Sequence, residues 1–370
     1  MKNIFPIVLW CFYLGWGLDA IAQKSTVSDS LKTVLEKTSG KERLKLLLSL
    51  SIFKSGDYKR AEEAYHFATE AKALAENLED KSSYIRAMVS QGIAMGKFGK
   101  KESGIDTLAH ALTLARQLKN DSIIGHCYFS LALAQEGNDD LTAALGNYKQ
   151  SLKIFTALHD TLYLSYTLNN LGIINFHLGN LTNSLDYYLQ TLPLKEKMKG
   201  AQQLTRTYNN ISLVYKQMEN FEKALEYNQK SVVLQKLEKD TFGLSLSYLN
   251  IGNIYRGMEQ YDSAIISQET ALMLSERIKD TIGIAYAKYN IASIYFNLKD
   301  YNKSEETYLV ALRLFENQKV KSRMMMCYVS LAIVQRESGN NQKATRYALQ
   351  ALALAQELNN KSQLKSLYET

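Results

Sequence analysis

The stretch Asp240 to Lys279, DTFGLSLSYLNIGNIYRGMEQYDSAIISQETALMLSERIK, decides the fold. Its first apolar run carries Tyr248, Ile251 and Tyr255, spaced by three and four. A break follows at Gly257 to Gln260. A second run carries Tyr261, Ala264, Ala271, Leu272 and Leu274. Two amphipathic helices joined by a tight turn fit this pattern. Strands do not, because their side chains alternate with a period of two.

The unit recurs every 40 residues. Stepping from Gly252 by that interval meets Gly92, Ala132, Gly172, Ser212, Ala292 and Ala332, all small. The preceding column is Gln91, Leu131, Leu171, Ile211, Ile251, Ile291 and Leu331. Two further small columns run through Gly104, Ala144, Ser184, Ala224, Ala264, Ser304 and Ala344, and through Ala111, Ser151, Thr191, Ser231, Ala271, Ala311 and Ala351. Small columns let two helices approach closely and the next pair stack behind them. One pair cannot bury its own apolar face, so the array is the folding unit.

The order of large apolar, small and aromatic columns resembles the tetratricopeptide repeat (TPR). Tyr128, Tyr208, Tyr248 and Tyr328 precede the marker; Tyr215, Tyr255 and Tyr295 follow it. Gly179-Asn180-Leu181 and Asp300-Tyr301 resemble the family's turn between helices. The usual unit is shorter, about 34 residues, with a proline near its end. This one lacks that proline, so its helices should be about a turn longer. The resemblance implies an all-α fold, a right-handed TPR α-solenoid built as a superhelix of antiparallel helix pairs.

Residues 1–22 differ from the rest. Lys2 precedes an apolar run from Ile4 to Leu18, and Ala20-Ile21-Ala22 gives a small-x-small cleavage pattern. These are the marks of a secretory signal peptide, with Gln23 starting the mature chain. The apolar run is too short to favour an uncleaved anchor. Export to the periplasm or the extracellular space is expected, with no membrane insertion after the signal is removed. The formal charge of +7 is mild over 370 residues and forms no block. Nucleic-acid binding is therefore not implied. Cys127 and Cys327 lie in one small column, with Ala87, Thr167, Thr207, Ser247 and Ala287, and read as inert buried thiols.

Residues 23–42 read as a capping helix, with Leu31, Val34 and Leu35 apolar and Asp29 or Ser30 as its cap. The array then spans 43–360, with repeats near 43–80, 81–120, 121–160, 161–200, 201–240, 241–280, 281–320 and 321–360. The first is degenerate, with its turn at Gly56-Asp57-Tyr58. Asp80, Asn120, Asp160, Gly200, Asp240, Asp280, Val320 and Asn360 mark the boundaries, and an Asp or Asn there suits a helix N-cap. Pro193, inside a second helix, predicts a kink near Leu192 and a hinge. Residues 361–370 read as the start of a truncated or capping helix.

No catalytic constellation is visible. His66, His110, His126, His159 and His177 form no metal-binding pair, and no phosphate loop or nucleophile elbow occurs. No cofactor is expected. A different column stands out: Ser90, Ser130, Asn170, Asn210, Asn250, Asn290 and Ser330. Asparagine in mid-helix is unfavourable by propensity. The resemblance implies that first helices line a concave groove, where such a ladder faces the backbone of a bound peptide. An amide supplies both donor and acceptor, as an extended chain requires. The alternative is that each asparagine bonds the neighbouring repeat and fixes its stacking.

Tyr166, Arg206, Tyr286, Phe176, Lys216, Arg256, Phe296 and Arg336 flank the ladder: aromatics for packing, cations for anionic groups. They do not recur at the positions of the family's carboxylate clamp, so a C-terminal carboxylate ligand is not favoured. The leader, the long repeats and the cut end together resemble the exported N-terminal TPR region of bacterial TPR-containing sensor histidine kinases. That implies an extracytoplasmic ligand- or partner-sensing region, itself not an enzyme, binding a protein or extended peptide in its groove. The alternative is a free-standing scaffold for protein-complex assembly with no signalling output.

Overall fold

The computed structural model describes residues 34–55, 60–198 and 201–358. The leader, the cap at Asp29 or Ser30, the turn at Gly56-Asp57-Tyr58, the boundaries at Gly200 and Asn360 and the segment 361–370 lie outside them. Among the described residues the secondary structure is helical, without strands. In chain order the helices are α1 (Gly40–Ser55), α2 (Ala61–Asn77), α3 (Lys81–Lys97), α4 (Lys101–Leu118), α5 (Asp121–Glu136), α6 (Leu141–Ala157), α7 (Thr161–His177) and α8 (Leu181–Lys197). They continue as α9 (Ala201–Gln217), α10 (Phe221–Leu237), α11 (Thr241–Gly257), α12 (Tyr261–Arg277), α13 (Thr281–Asn297), α14 (Tyr301–Asn317), α15 (Lys321–Glu337) and α16 (Asn341–Glu357). The architecture is an α-solenoid of helical hairpins.

Most helices have 17 residues, which leaves three for each turn and makes the 40-residue period. The turns share one conformation. A left-handed residue closes each helix at Glu79, Gly99, Lys119, Asp139, His159 and Gly179, and again at Glu219, Lys239, Glu259, Lys279, Lys299, Lys319 and Gly339. The next residue is the N-cap of the following helix. Asp80, Asn120, Asp140, Asp160, Asn220, Asp240, Asp280, Asp300 and Asn340 accept there from a backbone N–H. Each such cap contributes about 1 kcal/mol. Val320 makes no side-chain cap. α8 runs unbroken through Pro193.

The chain divides into two compact units, 1–207 and 208–370. In each, the small columns are the contact surfaces between helices. All seven marker residues are buried, as are all seven of the Ala111 to Ala351 column. Where a small residue is serine, its hydroxyl satisfies the facing backbone. Ser184 donates to the Gly172 carbonyl at 2.7 Å, Ser212 to Ala224 at 2.7 Å and Ser304 to Ala292 at 2.9 Å. Large side chains then fill the space between hairpins: Tyr148 and Phe155 in the first unit, Phe315 and Leu331 in the second. Cys127 and Cys327 are fully buried free thiols, both pushed up to about 12 chiefly by burial.

Successive first helices touch one another: α1 with α3 and α3 with α5 in the first unit, α11 with α13 and α13 with α15 in the second. Successive second helices have no comparable contact among the described residues. α1, α3 and α5 in the first unit, and α11, α13 and α15 in the second, therefore lie on the more crowded side of the stack.

Candidate functional site

In the first unit, α7 carries Tyr166, Asn170 and Phe176, all half-buried. Tyr166 meets Tyr163 edge-on with ring centroids 6.1 Å apart, and Phe176 meets His177 in the same way. The Asn170 Oδ1 accepts from Asn169 Nδ2 at 3.4 Å. Arg206 is exposed on the part of α9 that belongs to this unit.

In the second unit, Asn210, Asn250 and Asn290 stand at the same level of α9, α11 and α13, each half-buried. Their bonding differs. Asn290 Nδ2 donates to Gln268 Oε1 on the preceding α12 at 3.2 Å, so this amide ties two repeats together. Asn210 and Asn250 make no side-chain hydrogen bond among the described residues. At the Ser330 position of this column the hydroxyl pairs with the Tyr289 hydroxyl at 2.9 Å, again between repeats. The ladder is thus mixed: Asn290 and Ser330 act in stacking, while Asn210 and Asn250 keep their amides free.

Among the flanking residues of this unit, Tyr286 packs edge-on against Phe315 and lies under the Arg323 guanidinium. Phe296 packs against Tyr301 with centroids 5.8 Å apart. Arg336 is exposed and pairs with its neighbour Glu337 at 3.2 Å. Lys216 and Arg256 are half-buried and pair with no carboxylate among the described residues. Burial, reinforced by the Arg256 charge, pulls the Lys216 amine below the ordinary lysine range. The Arg256 Nε is buried and has no hydrogen-bond partner.

Several residues take on surroundings that the sequence reading did not give. Lys195 is 4% exposed on α8 and donates to Thr207 Oγ1 at 2.8 Å. Burial, with Arg206 second, pulls its amine down to about 8. Asn228 on α10 is fully buried, with both amide atoms unpartnered. Glu136 accepts from the buried Tyr148 hydroxyl at 2.9 Å, and burial raises its carboxyl. Burial, and then Arg86, pushes His126 down to about 4, and its Nε2 is unpartnered. Repeat columns offered a signal for the first two, since Lys195 aligns with Phe155 and Phe315, and Asn228 with Tyr148 and Tyr308.

Among the described residues no group of His, Cys, Asp and Glu side chains is placed to hold a metal ion, and no helix is long and apolar enough to cross a membrane. The first helices of the second unit carry the free amides of Asn210 and Asn250, aromatic edges, and two cations, Lys216 and Arg256, without a carboxylate partner among the described residues.

The family model for the tetratricopeptide repeat matches residues 163–236, 203–277, 243–317 and 283–357, which together span 163–357, just over half of the chain. A model for anaphase-promoting complex subunit 5 matches residues 46–138. No curated protein matches. Among solved structures, the apo form of the quorum sensor NprR from B. thuringiensis has a TM-score of 0.66 at 14% identity, covering 95% of this chain and 98% of that one. Aspartyl phosphate phosphatase F from Bacillus subtilis has a TM-score of 0.62 at 15% identity, covering 96% and 94%. A Rap protein complexed with competence and sporulation factor has a TM-score of 0.58 at 13% identity, covering 89% and 96%. At these identities the likeness is one of fold.

Proposed function

Because the chain belongs to the tetratricopeptide repeat family, we propose that the inner face of its first helices binds an extended peptide segment of a partner. The free amides of Asn210 and Asn250 carry this reading. Each offers one donor and one acceptor at the spacing of successive repeats, and an extended backbone needs both. The fold shared with a Rap protein in complex with competence and sporulation factor supports the same use of the scaffold. The leader-like residues 1–22 support a further step: an exported sensing region of a bacterial signal-transduction protein.

The binding test starts from linear peptides selected on the purified full chain out of a random library. Their affinities are then measured for wild type and for Asn210→Ala/Asn250→Ala. With each lost backbone bond worth about 1 kcal/mol, the double variant should bind roughly tenfold or more weakly and melt no lower. Equal affinities would overturn the reading. Export is tested by fractionating cells that express the full gene and reading the N-terminus by mass spectrometry. A periplasmic or secreted chain beginning near Gln23 is the expected result; an intact leader in the cytoplasm would refute it.

A further inference from the structure

In the repeat 121–160, Glu136 at the end of the first helix meets Tyr148 on the second at 2.9 Å. These two helical positions therefore point their side chains at one another. Forty residues on in each column stands Phe176 with Tyr188, and forty further Lys216 with Asn228. The repeat at 201–240 has neither the acid nor the tyrosine. Asn228 is much shorter than tyrosine and ends well before the place that a phenol hydroxyl reaches. It is fully buried, and neither its amide nitrogen nor its oxygen has a partner. A buried amide without partners is costly, and a polar group supplied from outside would relieve that cost.

The surroundings define that group. Lys216 lies within electrostatic reach of Arg256, which occupies its equivalent position on the next first helix. Two such cations repel each other, and partial burial deprives them of water. No carboxylate pairs with either among the described residues, and the Arg256 Nε–H donates to nothing. Arg256 also lies within electrostatic reach of Tyr289 and Tyr308, whose hydroxyls are already paired with Ser330 and Ser293. The cluster is rich in unsatisfied donors and lacks an anion.

We infer that Lys216, Arg256 and Asn228 form an anion recess that takes the carboxylate of an internal aspartate or glutamate of the bound peptide. The inference rests on the peptide-binding reading, because it places the recess beside the free amides. Asn210 and Asn250 precede Lys216 and Arg256 by six residues, about 9 Å along each helix and about a third of a turn around it. A peptide glutamate and a lysine or arginine leaning toward the helix N-terminus are both long enough to meet along and partly around the helix. The free amides hold the backbone, and the recess selects an acidic side chain.

The probes are acetyl-Gly-Glu-Glu-Glu-Glu-Gly-amide and its glutamine counterpart, titrated calorimetrically against the full chain, with sodium sulfate as a small-anion competitor. Wild type should bind the glutamate peptide about tenfold or more tightly than the glutamine peptide, and more weakly as salt rises. Lys216→Met and Arg256→Gln should each lose about tenfold. Asn228→Tyr keeps both cations, installs the tyrosine found at Tyr148, Tyr188 and Tyr308 and closes the recess; it should lose affinity comparably. Melting curves establish that each variant is folded, and Lys216→Met, at a half-buried site, is the control should Asn228→Tyr misfold.

Equal affinity for the two peptides, or no measurable binding at millimolar glutamate peptide, overturns the recess. So does sulfate binding without peptide binding, which would mark a site for inorganic anions. The two readings fail separately. Library-selected peptides that depend on Asn250 but not on Lys216 or Arg256 would sink the recess alone. Glutamate-peptide binding that survives Asn210→Ala/Asn250→Ala but not Arg256→Gln would sink the backbone ladder alone.

Discussion

The carbonyl oxygen of Gly92 lies only 2.6 Å from where a Cβ on Gly104 would stand. Both residues belong to small columns, yet only the hairpin of α3 and α4 pairs glycine with glycine; the others set alanine or serine against the marker. The backbones of α3 and α4 thus approach to a distance that a methyl group forbids. Neither a carbonyl nor the Gly96 amide nitrogen, 3.1 Å from the same point, can swing aside as a side chain would. Gly104→Ala should therefore cost about 2–3 kcal/mol despite the better helix propensity of alanine. Gly146, exposed on α6 with nothing near its Cβ position, is the control: its alanine variant should gain up to about 1 kcal/mol. Urea denaturation of the two variants checks both signs.

The asparagine ladder separates into two energetic classes. Asn290 holds Gln268 of the preceding repeat, so Asn290→Ala should destabilise by about 1 kcal/mol and leave the Gln268 oxygen without its donor. Asn210 and Asn250 hold nothing among the described residues, and alanine is the better helix former there. Asn210→Ala and Asn250→Ala should be neutral or stabilising by a few tenths of a kcal/mol. Melting temperatures of the three single variants decide. Equal losses at all three would mean that the whole column serves stacking.

The left-handed turn residues make a third case. Lys239, Lys279 and Lys319 adopt φ values of 55°, 57° and 56°. A side chain in that region crowds the backbone, and glycine relieves the crowding at some entropic cost. Lys279→Gly should therefore stabilise by about 0.5–1 kcal/mol, whereas the same change at half-buried Lys288, inside helix α13, should not. Denaturation midpoints of the two variants provide the check; a loss at Lys279 would mean that its side chain contributes more than its backbone conformation costs.

The helical hairpins were legible because small residues recur in register. Gly252 and Ala271 announce a close contact whatever surrounds them, and the class of fold follows. The turn conformation was partly hidden: Gly179 signals a left-handed residue, but Lys239 and Lys279 carry no such mark. The ladder was visible as a column, yet its division was not. Whether an asparagine bonds its neighbour depends on the residue opposite, and Gln268 is long enough to meet Asn290 from a column that holds Tyr148, Tyr188 and Tyr308 in other repeats. Asn228 and Lys195 stand out only after every interior column has been aligned, because single-residue polarity says nothing about burial within a repeat.

Lys195 gives the protein a pH dependence that can be isolated. Its amine is 4% exposed and pulled down to about 8, against 10.5 for an ordinary lysine. Below about pH 8 both folded and unfolded chains carry the proton, and the buried charge penalises the fold. Between about 8 and 10.5 the folded chain has released it while the unfolded chain still binds it, so stability rises with pH. The full swing is on the order of 3 kcal/mol. The buried thiols work in the opposite sense: held up at about 12, they lose their contribution as pH climbs above about 9. The informative window is therefore pH 8 to 9, and the difference between wild type and Lys195→Met removes what the two share, including Lys216. Wild type should gain stability across that window relative to Lys195→Met, measured by denaturant midpoint at fixed ionic strength. Parallel curves would mean that the Thr207 hydroxyl and its neighbours hold the lysine charged, and that the amine does not titrate there.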